Sequence, residues 1–283
     1  FSQLFRGSGE VKFFGNLFCA AAESEQQTGE KILELLSSVC RYQSFPLKDR
    51  YMDDGKHKYQ SGFLLDLCSH LKDYETKTGL RVLPSLQSVF QSAPAVWFIN
   101  LSERKTSILL EVLKLQPEKK PVELTGCSDE ESEVRSFLQC LPYISQLRFY
   151  DKFEESDLVK FFGNLFCAAA EREQQTGEKI LELLSPYLDE DDDEYRCGFL
   201  LDLYSHLKDY ETKTGLRVLP SLQSVFQSSP AVWSINLSER KTSILLEVLK
   251  LQPEKKPVEL TGWSDEESEV RSFLQCLPYI SQL

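Results

Sequence analysis

A chain of 283 residues is long enough for one large domain or two small ones, and 41% hydrophobic residues with 18 Phe supply a sizeable core, which excludes wholesale disorder. With 44 acidic residues against 32 basic ones the net charge is -12, so attraction to phosphate backbones or anionic membranes is disfavoured and nucleic acid is not an expected partner. The longest apolar stretches, Val11–Ala22 and Val159–Ala170, are broken by Lys12, Gly15, Asn16 and their counterparts, and fall short of the roughly 18–20 residues of a membrane span.

In chain order, Val11–Ser92 reads as mostly helical. Leu64, Leu67, Cys68 and Leu71 carry the i, i+3, i+4, i+7 spacing of a helix with one apolar face, and Gly79-Leu-Arg-Val-Leu83 has strand character. Val96-Trp-Phe-Ile-Asn-Leu-Ser102 alternates with period two and predicts a strand. A helix follows at Ile108–Leu113, with Thr106 or Ser107 placed to cap it. Val122-Glu-Leu-Thr125 predicts a second strand. Val134, Phe137, Leu138 and Leu141 predict another helix, and Ser128-Asp-Glu-Glu sets acids where a helix N-terminus favours them. Ile144-Ser-Gln-Leu-Arg-Phe149 predicts a third strand. Taking Ile99, Val122 and Leu147 as equivalent, the strands recur 23 and then 25 residues apart, a strand–helix period.

The same order then repeats. Val11–Ser38 recurs as Val159–Pro186 at an offset of 148, and Ser61–Leu147 as Cys197–Leu283 at an offset of 136. Over the longer match only five pairs differ: Ser61/Cys197, Cys68/Tyr204, Ala93/Ser229, Phe98/Ser234 and Cys127/Trp263. Two tandem units, 1–150 and 151–283, with nearly the same fold are expected. Val39–Gln60 in the first copy answers to the shorter Tyr187–Arg196 in the second, so a surface loop is expected there. The ends also obey the repeat, since Phe1-Ser-Gln-Leu4 resembles Ile144-Ser-Gln-Leu147, and the expectation is a segment of a longer array.

Val96-x-x-Ile99-x-Leu101 and Ile144-x-x-Leu147-x-Phe149 resemble the LxxLxL core of leucine-rich repeats, and Cys127 falls where that pattern places Asn or Cys. The match is degenerate: Lys119 stands at an apolar position, Arg104 replaces the expected Asn, and Trp263 replaces Cys127 in the second copy. It covers about Ala95–Asp151 and Ala231–Leu283. The chain is similar to divergent repeat regions of vertebrate intracellular immune receptors of the NACHT–leucine-rich-repeat type, especially the expanded fish group. The resemblance implies an α/β, helix-rich strand–helix solenoid of two tandem units, acting as a cytoplasmic protein-binding module in ligand sensing. It implies no cofactor.

Motifs of chemistry are sparse. Of eight cysteines only Cys19/Cys167 and Cys140/Cys276 have equivalents in the other copy, whereas a disulfide framework would duplicate intact; reduced core thiols and a reducing compartment are expected. No CxxC or Cys/His cluster has zinc spacing, so no metal is expected. His70 and His206 share a Ser-His-Leu-Lys context with Asp66 and Asp202 four residues earlier, without a nucleophile elbow, and a structural role is expected. There is no GxxxxGK[ST] or GxGxxG, and Thr28-Gly-Glu-Lys31 is too short to signal phosphate binding. Asp189-Glu-Asp-Asp-Asp-Glu194 lacks the spaced ligands of a calcium loop and reads as a solvated segment. The sequons at Asn100 and Asn236 lie within predicted strands and are expected to be unused.

Strand parity nominates a surface. Trp97 and Trp233 share the parity of Ile99 and Leu101 and read as packing residues. The opposite parity turns Phe98, Asn100, Ser102, Glu123, Thr125, Gln146 and Arg148 outward, with Ser234, Asn236, Ser238, Glu259 and Thr261 in the second copy. On a curved sheet these residues form the concave, protein-binding face, with Phe98 as an anchor that Ser234 lacks. The alternatives are an all-helical repeat scaffold for complex assembly and an enzyme whose chemistry leaves no motif.

Overall fold

The structure, a computed structural model, describes residues 4–40, 53–92, 94–128, 130–149, 155–177, 180–181, 193–228 and 230–283. The chain forms two compact units: Phe1–Ser128 with Gln139–Lys152, and Asp129–Leu138 with Phe153–Leu283.

In the first unit α1 (Leu4–Thr28) packs on α2 (Ile32–Cys40) and α3 (Asp53–Thr78). The α3 segment Phe63, Leu64, Leu65, Leu67, Cys68 and Leu71 is buried all round, because α3 is covered by α1 and also contacts the first strand and α5. Gly29 and Gly79 close α1 and α3 with positive φ of 75° and 76°, and their N–H groups bond back to Glu25 and Glu75 carbonyls at 2.8 Å. A 3-10 turn at Leu83–Leu86 and α4 (Gln87–Ser92) lead into β1 (Trp97–Asn100), then α5 (Thr106–Lys114), β2 (Lys120–Gly126) and β3 (Ile144–Phe149). The three strands are parallel, in the order β1-β2-β3. Their buried face carries Trp97, Ile99, Val122, Leu124 and Leu147, and α5 buries Leu109, Leu110, Val112 and Leu113.

In the second unit α6 (Glu131–Leu138) packs on α7 (Glu155–Thr176), which packs on α8 (Asp193–Thr214). There follow α9 (Gln223–Ser228), β4 (Trp233–Asn236), α10 (Thr242–Leu251), β5 (Lys256–Gly262), α11 (Glu267–Cys276) and β6 (Ile280–Gln282), with the parallel order β4-β5-β6. By sequence α6 lies in the first copy; by contact it groups with α7.

The expected leucine-rich-repeat-like solenoid is not what the chain builds. Among the described residues the fold is helix-rich, with one three-stranded parallel sheet in each unit and no solenoid sheet. A period near 25 residues leaves room for short crossovers such as α5 with 9 residues and α6 with 8, whereas α1, α3, α7 and α8 run to 25, 26, 22 and 22. The segment Gly79–Leu83, expected as a strand, is irregular: Gly79 has positive φ, Val82 is in the right-handed helical region, and Leu83 opens a 3-10 turn. The Glu75 carboxylate accepts the Val82 and Leu83 N–H groups at 2.5 and 2.8 Å, which satisfies the donors a neighbouring strand would have taken, and Pro84 removes another.

The strand period also differs from its expected value. Trp97, rather than Ile99, pairs with Val122, which pairs with Leu147, so the spacing is 25 and 25. Lys105, not Thr106 or Ser107, stands at the α5 N-cap, and Thr106 is buried inside the first turn. The expected loop Val39–Gln60 is helical at both ends, as the tail of α2 and the start of α3, and its middle lies outside the described residues. The same holds of Tyr187–Asp192, whereas Asp193–Arg196 opens α8.

Candidate interaction surface

Register assembles the outward residues. Phe98 pairs with Glu123 and Glu123 with Arg148, which sets an aromatic ring, a carboxylate and a guanidinium in one row across three strands. At the usual spacing of about 4.8 Å between strands the row is about 10 Å wide. Phe98 and Glu123 are half-buried; Arg148 is exposed and donates to Gln146 Oε1 at 2.9 Å. Thr125 is half-buried one strand position beyond Leu124, and Gln146 is exposed beside Pro121.

Asn100 and Ser102 serve the fold. Asn100 Oδ1 accepts the Ser102 N–H at 3.0 Å and the Ser102 hydroxyl at 2.7 Å, capping the 3-10 turn Leu101–Glu103. A Cβ at Gly126 would lie 2.1 Å from Asn100 Oδ1, so glycine is required where β2 passes this carboxamide. The register slips at the same place, between Ile99 and Asn100.

The second unit repeats the geometry with a weaker surface. Ser234 pairs with Glu259, and both Glu259 and Thr261 are exposed. Asn236 accepts Ser238 N–H at 3.0 Å and lies over Gly262, as its counterpart does.

Parity alone missed the residue that protects the sheet edge. Ser61, buried on α3, accepts the Phe98 N–H at 3.1 Å and donates to the Val96 carbonyl at 3.3 Å, occupying one group of edge strand β1 and one at its entry. Cys197 does the same with sulfur: Ser234 N–H bonds Cys197 Sγ at 3.2 Å, and Sγ lies 3.5 Å from the Val232 carbonyl. The only sequence trace was the Ser61/Cys197 exchange itself.

His70, His206, Asp66 and Asp202 are spent on packing and pairing. His70 lies against Gly15, where an added Cβ would be 2.4 Å from Cδ2, and His206 lies against Gly163 in the same way. Asp66 pairs with Lys105 at 2.8 Å and Asp202 with Lys241 at 3.0 Å. Burial pushes the Cys68 and Cys167 thiols up to about 12 and Cys276 to about 11, the reverse of an activated nucleophile. None of the eight cysteines is in a disulfide. Among the described residues there is no group of three or more His, Cys, Asp or Glu that could hold a metal ion, and no helix long and apolar enough to cross a membrane.

No protein family, curated protein or solved structure matches the chain. The site therefore rests on its own geometry.

Proposed function

We propose that the chain is a non-catalytic protein-interaction module that engages its partner through the Phe98–Glu123–Arg148 row. The observation that carries this reading is the strand register, which sets an apolar ring beside one acidic and one basic group on the face opposite the buried one. Such a row suits a protein segment that inserts an apolar side chain and presents complementary charges. The sequence resemblance to NACHT–leucine-rich-repeat receptors supports a place in the sensing region of an intracellular receptor, hence in the cytoplasm, and the unbridged thiols are in keeping with a reducing compartment.

The test compares affinity capture by equal amounts of wild-type, Phe98→Ser and Arg148→Glu proteins. Phe98→Ser imports the residue the second copy already carries, so it should melt with the wild type. Truncating an aromatic anchor at an interface centre costs about 1–4 kcal/mol, roughly 5- to 1000-fold in affinity. A partner of this face is lost from both variants. Equal capture by all three proteins, or a large drop in melting temperature for Phe98→Ser, refutes the reading.

A further inference from the structure

Helices of identical or nearly identical sequence are covered at one place in this chain and exposed at another. Residues 131–140 and 267–276 are identical, and 11–28 differs from 159–176 only at Ser24/Arg172. In the second unit α6 lies on α7: Phe137 and Phe161 rings are 5.9 Å apart, and Val134 and Leu138 are 1% and 3% exposed. Arg135 bridges Glu131 on its own helix and Glu171 on α7, while the Tyr210 hydroxyl donates to the same Glu171 carboxylate.

The counterparts of both partners stand open. On α1, Phe13 is 62% exposed where its equivalent Phe161 is 0%, and Leu17 is 36% exposed where Leu165 is 0%. Tyr74 donates to Glu23 at 2.8 Å, repeating the Tyr210–Glu171 pair without a guanidinium among the described residues. On α11, Val270 and Leu274 are 44% and 56% exposed, and Arg271 pairs, among the described residues, with Glu267 of its own helix. The α1 face thus lacks what the α11 face carries, and the reverse.

We propose that the exposed α1 face is a docking site for the α11 face of a second copy of this chain, joined by the contact that α6 makes with α7. Phe13 of one copy then meets Phe273 of the next, Leu274 and Val270 cover Leu17 and Ala20, and Arg271 reaches Glu23. The two surfaces differ, so the contact is heterologous, and copies join head to tail through an α1 face and an α11 face. This surface is separate from the Phe98 row.

Sedimentation of the 32.6 kDa chain over a concentration series tests the proposal. A single helix-on-helix contact is small for a specific interface, so half-association is expected at about 10–500 µM, with the average mass rising above that of the monomer. Phe13→Glu removes one face and Leu274→Glu the other; both sites are exposed, so both variants should melt with the wild type and each alone should stay monomeric. Mixed, they should form a one-to-one dimer and nothing larger, because the Phe13→Glu protein keeps its α11 and the Leu274→Glu protein keeps its α1. A wild type that stays monomeric to about 1 mM, variants that still associate, or a mixture that does not dimerise overturns the proposal.

Discussion

Gly163 lies inside α7, where alanine ordinarily gains stability, yet here the exchange should cost. A Cβ at this position would stand 2.3 Å from His206 Cδ2, 2.6 Å from Nε2 and 2.9 Å from Cγ. The overlap reaches the base of the imidazole, so turning the ring does not relieve it, and α7 and α8 must part or His206 must leave its seat. The backbone gain of Gly→Ala in a helix interior is about 1 kcal/mol. Overpacking of this kind costs about 1–3 kcal/mol, so Gly163→Ala should lose up to about 2 kcal/mol, a fall of up to about 8 °C in the melting of its unit. With His206→Ala in place the obstacle is gone, and the same glycine exchange should now raise stability by about 1 kcal/mol. The cycle of the two single variants and the double variant, followed by calorimetry, should give a coupling of about 1–3 kcal/mol. A Gly163→Ala protein that gains equally with and without His206 refutes the close-approach argument, for Gly15 and His70 as well.

Two further outcomes follow from the same neighbourhoods. The hydrogen bond from Tyr210, and after it Arg135, hold the Glu171 carboxyl below its ordinary range, so its contribution to stability is present above the unfolded carboxylate value and is lost as pH falls through the folded one. A Tyr210→Phe protein should therefore lose less stability than wild type between about pH 5 and pH 3; parallel melting profiles would rule this out. Under denaturing, non-reducing conditions thiol titration should count eight groups, whereas in the native protein Cys127, the one cysteine not buried, should react well ahead of the other seven. Recovery of four or fewer thiols after denaturation would reverse the reading of the cysteines.

The parts of the fold legible in the sequence are those where one period runs without interference. Trp97, Ile99, Val122, Leu124 and Leu147 fall on the buried face by parity, and the three strands form where alternation places them. Reading failed where a side chain took over a backbone duty. Glu75 accepts the amides of Val82 and Leu83, which turns an apolar run with strand character into a helix entry. Asn100 has outward parity, yet its carboxamide folds back onto Ser102, so parity assigned it to the surface and local bonding assigned it to the turn. The 23-residue spacing arose from matching Ile99 to Val122; the irregularity that follows Ile99 is a property of Asn100 and Gly126 packing, which no hydrophobic pattern encodes. The Phe98–Glu123–Arg148 row needed the register itself, since residues 25 apart share no local signal.

Burial is the property the sequence carries least, because it belongs to neighbours. Val134 and Val270 sit in identical ten-residue contexts, yet one is 1% exposed and the other 44%, and the difference is whether an α1-type helix lies against it. The apolar surface left on α1 and α11 therefore measures an unmet contact, worth about 25 cal/mol for each Å² covered. Opposing it is the net charge of -12, which repels like chains. The two terms act over different ranges. At about 0.15 M salt the Debye length is about 8 Å, so the repulsion between whole molecules is screened while the apolar contact and the Arg271–Glu23 pairing act at closest approach. Association of the chain should accordingly strengthen as salt rises from about 0.02 to 0.15 M, the opposite of what a contact held mainly by the ion pair would do.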